Sequence, residues 1–108
     1  MVLDMNFYVF LVTVQNVEEA QKIAHLLVEN KLAACVNIIH NISSIYEWKG
    51  KIEENNEQIL IIKSMQEKSE QLIKKINEIH SYENPECIGI RIEKGSEKYL
   101  NWIKEVLD

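Results

Sequence analysis

Phe7-Tyr8-Val9-Phe10-Leu11-Val12-Thr13-Val14 is an unbroken run of β-branched, aromatic and aliphatic side chains with no helical period. Apolar residues at both strand parities predict a strand buried on both faces. Just beyond it, Asn16 followed by Glu19 forms an N-cap and capping-box pair, and Ala20, Ile23, Ala24, Leu27 and Val28 recur at helical spacing. That pattern predicts a first helix over about Val17 to Glu29. Leu32 to Ile39 reads as a second strand, Ile42 to Trp48 continues it to a turn at Lys49-Gly50-Lys51, and Glu57 to Lys63 returns as the third. This hairpin outruns the roughly 5 or 6 residues of an ordinary strand, so its tip serves something beyond the protomer's own core.

Further out, Ser64 with Glu67 predicts a second capping box, ahead of a helix striped by Leu72, Ile73, Ile76 and Ile79. Pro85 bars that helix from continuing, and Ile88, Ile90 and Ile92 alternate with Gly89, Arg91 and Glu93 as a half-buried fourth strand. Ser96 then caps a terminal helix carrying Tyr99, Trp102, Ile103 and Leu107. The order βαββαβα predicts the α+β class. It points to a ferredoxin-like split βαβ sandwich with an antiparallel sheet in order 4-1-3-2 and the helices on one face. The first three strands are apolar at both parities, which conflicts with a second sheet face open to water. Burial of that face against copies of the same chain, in closed symmetry, removes the conflict and predicts a homo-oligomer.

With 108 residues and 46% apolar content, the chain suits one core and a single domain spanning 1–108. A net charge of -5 excludes the basic stripe that nucleic acid requires and suits cations instead. No apolar stretch approaches the roughly 20 residues of a membrane span. The start, Met1-Val2-Leu3-Asp4-Met5-Asn6, lacks the positive flank of a signal peptide, so a cytoplasmic location is expected. Cys35 and Cys87 are too few and too far apart for a disulfide framework or a CxxC zinc site, and are expected as reduced thiols.

Several strings resemble the CutA divalent-cation-tolerance family in order and spacing. They are Leu32-Ala33-Ala34-Cys35-Val36-Asn37, Ser44-Ile45-Tyr46-Glu47-Trp48-Lys49-Gly50-Lys51, His80-Ser81-Tyr82-Glu83 and Tyr99-Leu100-Asn101-Trp102. The resemblance implies a homotrimer of ferredoxin-like protomers, cytoplasmic or organellar, similar in architecture to PII signalling proteins. It also implies a part in tolerance of divalent metals, copper above all. A copper site proposed for some members uses the His of a His-Pro-Tyr motif, a His just before it and a Cys on the first strand. Only His80 stands at a ligand position here; Ile79 and Val12 occupy the other two, and Ser81 replaces the motif's proline.

The metal candidates are therefore His80, as neutral imidazole, and Cys35, as soft sulfur for Cu(I). A cysteine in an apolar strand more commonly packs as a small hydrophobe, and Cys87 invites the same reading. His25 and His40 read as ordinary surface histidines. Tyr46, Trp48, Lys63, His80, Tyr82 and Glu86 are grouped because the hairpin tip and the loop after the second helix can meet across a subunit boundary. Together they offer the ingredients of a small polar ligand pocket, and equally of interface anchors, with Lys63 beside Glu86 as an ion pair. No cofactor is required by any motif, and the expected partners are a divalent cation, copper in particular, and further copies of the chain. No Gly-rich phosphate loop, nucleophile elbow or HExxH helix is present, so an enzyme is not expected. The alternative is a PII-like small-ligand sensor or trimeric scaffold. A cleft lined by His and Cys would favour metal, and one lined by Lys63 and backbone N–H groups an anion.

Overall fold

The computed structural model describes residues 6–108; Met1 to Met5, on which the expectation about a signal peptide rests, lie outside them. The elements are β1 (Phe7–Val14), α1 (Val17–Glu29), β2 (Cys35–Trp48), β3 (Lys51–Met65), α2 (Ser69–Ile79), β4 (Ile88–Ile92) and α3 (Glu97–Leu107). Asn16 caps α1 as its sequence predicts, its Oδ1 accepting from the Glu19 amide at 2.8 Å. At the other end Lys31 turns left-handed (φ 59°), and the amides of Lys31 and Leu32 donate to the carbonyls of Val28 and Leu27. This Schellman closure holds Leu32-Ala33-Ala34 in the turn, so β2 starts only at Cys35, later than its apolar pattern implied.

The sheet is antiparallel in the order β2-β3-β1-β4, the predicted order read from the opposite edge. Phe10 lies opposite Ile62 and Gly89, Val12 opposite Leu60, and Val36 and Ile38 opposite Ile62 and Leu60. These side chains share one face and form the main core with Ile23 and Leu27 of α1 and Leu72 and Ile76 of α2. Gly89 is required there: a Cβ would come within 2.6 Å of Phe10 Cε2.

On the other face, Phe7 lies opposite Met65 and Ile92, and these pack with Ala34 and with Ile103 and Leu107 of α3. The expectation of all helices on one face is thus corrected. Only α1 and α2 share a face, because the chain leaves β4 at the Phe7–Met65 end and α3 has apolar residues enough to cover that end alone. The rest of this face stays open, with Ile88 52% and Ile90 53% exposed beside Val9 and Leu11.

A second correction concerns Ser64. It does not cap α2: it is paired with Tyr8 inside the β1–β3 ladder, fully buried, with its Oγ donating to the Leu32 carbonyl at 2.7 Å. The strand runs on to Met65, a 3₁₀ turn follows over Gln66–Lys68, and α2 begins at Ser69 without a side-chain cap. β2 and β3 reach 14 and 15 residues and carry the hairpin past the core, so the protomer is 50 Å long against 25 and 23 Å across. Lys49 and Gly50, both at positive φ, close it in a two-residue turn. Between Ile39 and Ile42 the register slips; His40 Nδ1 there meets Gln58 Oε1 at 2.9 Å, which ties this histidine to the bulge.

Candidate functional site

A cleft of about 1000 Å³ opens between the hairpin arm and the loop after α2, lined by Tyr46, Trp48, Glu57, Tyr82 and Glu86 among others. Its floor is organised by His80. The backbone leaves the helix at this residue (φ -74°, ψ 143°), which turns the ring inward. Nδ1 lies 3.0 Å from the Tyr82 amide and so accepts from it; the proton therefore sits on Nε2, which donates to the Thr13 carbonyl at 2.7 Å. Both ring nitrogens are engaged and the side chain is fully buried. Glu19, reaching over from α1, accepts from the Ser81 amide and hydroxyl, both at 2.8 Å, and approaches His80 Nδ1 at 3.7 Å. Serine in the motif's proline position thus supplies an N–H that proline lacks, and it anchors the loop to α1.

Tyr82 stacks at a tilt on His80, with ring centroids 4.6 Å apart, and its hydroxyl donates to Glu57 Oε2 at 2.5 Å. Burial, then the hydrogen bond to Glu57 and its charge, push the phenol well above its ordinary range, so Tyr82 remains a donor. Glu57 is only 4% exposed. Among the described residues no Lys, Arg or His pairs with it. Burial, and the charge of Glu57 beside it, raise the Glu86 carboxyl.

Of the residues grouped from sequence, Tyr46, Trp48, Tyr82 and Glu86 line the cleft, and His80 supports it from beneath. They meet within one chain, so no subunit boundary is needed to bring hairpin and loop together. Lys63 is not among them. It lies opposite Cys35 and Val9, six residues along β3 from Glu57, or about 20 Å at the usual strand rise, and its Nζ bonds Asn37 Oδ1. The expected Lys63–Glu86 pair is therefore not formed within the chain. Among the described residues no Lys, Arg or His lines the cleft.

Cys35 likewise sits at the far end of the sheet, its Sγ 3.9 Å from Asn37 Oδ1. His80 and Cys35 are not brought together, and among the described residues no three His, Cys, Asp or Glu side chains converge as a metal site would require. Cys87 packs against the main core, where burial and then Glu86 push its thiol up to about 11. His25 is exposed, 4.0 Å from Glu29. Sequence reasoning missed Glu57 and Glu19. Glu57 stands just ahead of the apolar run Ile59 to Ile62 and reads as a strand-end residue, while Glu19 reads only as the capping partner of Asn16.

The model of the family described as CutA1 divalent ion tolerance protein matches residues 8–106. Chloroplastic CutA of Arabidopsis thaliana is 48% identical over 93 residues, 86% of this chain and 51% of that protein. The CutA homolog of Xenopus laevis is 47% identical over 89% of this chain and 64% of its own length, so the chain spans about half to two thirds of these relatives. The Thermus thermophilus divalent-cation tolerance protein CutA is 39% identical, with 90% of this chain and 94% of that one covered. Among solved structures, CutA1 of Oryza sativa superposes with a TM-score of 0.93 at 38% identity, covering 95% of this chain and 94% of that one. The periplasmic divalent cation tolerance protein CutA of Archaeoglobus fulgidus superposes at 0.92 and 39% identity, covering 94% and 99%. These relatives are named for the chloroplast in one case and the periplasm in another, and as tolerance proteins rather than enzymes. Among the described residues no helix is long and apolar enough to cross a membrane. In sequence over nearly its whole length, and in the ferredoxin-like α+β fold described above, the chain belongs to the CutA1 divalent ion tolerance protein family.

Proposed function

We propose that the chain works as a closed homotrimer in tolerance of divalent ions, contacting copper or another divalent cation weakly and without a resident cofactor. The trimer is supported by the open half of the second sheet face, where Ile88 and Ile90 stand over half exposed, and by the hairpin, whose Ile45 and Ile52 are 68% and 73% exposed. Apolar patches of this kind on a small protomer mark association surfaces. Weak rather than tight ion contact follows from His80, whose two nitrogens already have partners, and from the distance between it and Cys35. An ion is left to scattered glutamates and water, a set that gives little selectivity. Cys35 and Cys87 are both free thiols, which suits the cytoplasm.

Light scattering tests the assembly: a mass about three times 12.7 kDa is expected, falling to the monomer in Ile90→Glu. A parent chain that is monomeric at micromolar concentration refutes it. Calorimetric titration of metal-stripped protein with Cu(I), Cu(II) and Zn(II) should give weak heats, and stoichiometric tight binding of any one of them refutes weak contact. The volume of the cleft favours a second reading, a sensor of a small ligand, which operates alongside the first.

A further inference from the structure

We propose that two successive buried residues of β3, Glu57 and Gln58, clamp the root of the hairpin arm and set the direction in which it is presented to further copies of the chain. The clamp is read from one protomer; its consequence for assembly rests on the homotrimer reading. The first observation is that the arm begins where the third strand stops. β1 pairs with β3 only as far as Val14 opposite Gln58, and beyond it residues 42–48 and 51–57 pair with each other alone among the described residues. A two-stranded ribbon with no third strand and no covering helix is marginal in water. Whatever fixes its angle to the sheet must act at the root.

The second observation is that two polar side chains are buried at that root, each tied to a different part of the molecule. Gln58 is 3% and Glu57 4% exposed, and as successive residues of a strand they point to opposite faces. On one side, Gln58 Oε1 accepts from the Asn41 amide at 3.2 Å and meets His40 Nδ1 at 2.9 Å. A backbone N–H can only donate, so the Gln58 atom there is its oxygen and His40 carries a proton on Nδ1. Both donors belong to the bulge, where His40 and Asn41 together oppose Gln58 and Asn41 takes a left-handed φ of 60°. A bulge bends its strand and raises the local twist, so one acceptor that holds both bulge residues fixes the bend. On the other side, Glu57 accepts from the Tyr82 hydroxyl at 2.5 Å and fastens the root to the loop after α2. The arm aimed in this way carries Ile45 and Ile52 beyond the core, the exposed residues on which the association reading draws.

The test is hydrogen exchange of the full chain, read segment by segment by mass spectrometry, with light scattering on the same samples. Gln58→Met keeps the length of the side chain and removes the acceptor, whereas Gln58→Glu keeps an oxygen for both bulge donors. In Gln58→Met the arm amides should exchange about tenfold faster or more while those of β1 keep the parent rate, and the trimer mass should fall. Gln58→Glu should restore both. His40 is exposed, so His40→Leu, which removes one of the two donors, decides the matter if Gln58→Met fails to fold. Ile90→Glu separates copies without touching the root, and its arm should exchange about tenfold slower than that of Gln58→Met. Equal rates in those two would give the ordering of the arm to assembly and overturn the clamp. An arm unchanged in Gln58→Met and His40→Leu overturns it too, as does exchange that rises equally through the whole chain. A faster arm with the trimer intact overturns the link to assembly. A monomeric parent refutes the homotrimer reading alone, because the contrast between arm and β1 is read within one chain.

Discussion

Replacing His80 with alanine removes a fully buried ring and two hydrogen bonds at once, and the cost can be worked from the geometry. The Thr13 carbonyl loses its donor at 2.7 Å and the Tyr82 amide its acceptor at 3.0 Å. Each unmet backbone group costs about 1–3 kcal/mol. Because the Tyr82 amide sits in a loop that water can reach after the ring is gone, the lower end applies, about 1 kcal/mol for each. The vacated ring volume adds about 1 kcal/mol more, for a total of about 3 kcal/mol. With a urea slope of about 2 kcal/mol per molar, the unfolding midpoint should drop by about 1.5 M. The assay is urea unfolding followed by circular dichroism at one fixed protomer concentration, since association contributes to apparent stability. It is run with chelator and again with Cu(II). A structural His80 predicts the same drop in both. A variant as stable as the parent in chelator, losing only an increment that copper confers, would refute this reading and make His80 a metal ligand.

Two other changes probe the packing and the charge of the cleft. Gly89→Ala drives a Cβ to within 2.6 Å of Phe10 Cε2, and Phe10 is wedged in the main core, so about 1–3 kcal/mol should be lost, with Phe10→Leu in the same chain restoring part of it; equal urea midpoints for Gly89→Ala and parent would show the ring has room to move. Glu86→Gln should be stabilising, and increasingly so with pH. The raised Glu86 carboxyl holds its proton more firmly folded than unfolded, so the parent loses stability as pH rises through and above the ordinary carboxylate range, while below that range the two chains match. Unfolding midpoints for both chains across that range check the sign, and a gap that closes as pH rises contradicts it.

Legibility in the sequence followed the range of the forces involved. Local signals read correctly: the apolar run at Phe7–Val14, the Asn16 cap and the Lys49-Gly50 turn all depend on neighbours within a few residues, and the structure has each in place. Ser64 failed for the opposite reason. Its local context matches a capping box, but the ladder to Tyr8 and the bond to the Leu32 carbonyl, 32 residues away, hold it in the strand. The position of α3 was equally non-local. Its apolar residues specify that it must pack on something, and only the exit of the chain at Ile92 decides which face.

The candidate site divides along the same line. Aromatic walls at Tyr46, Trp48 and Tyr82 stand in distinctive strings, whereas Glu57 does not, because a glutamate at a strand end looks the same in sequence whether it faces water or a tyrosine hydroxyl. Lys63 shows how far a grouping by sequence depends on register. Its grouping with Glu86 brings the two together across a subunit boundary; within one chain, strand geometry sets its cation about 20 Å along β3 from Glu57, at Asn37. Within one chain the charged side chains lining the cleft are therefore all carboxylates, Glu47, Glu57, Glu83 and Glu86. The charge that one chain presents in the cleft thus turns on where a single lysine stands, which is set by the β3 register and by no string of residues.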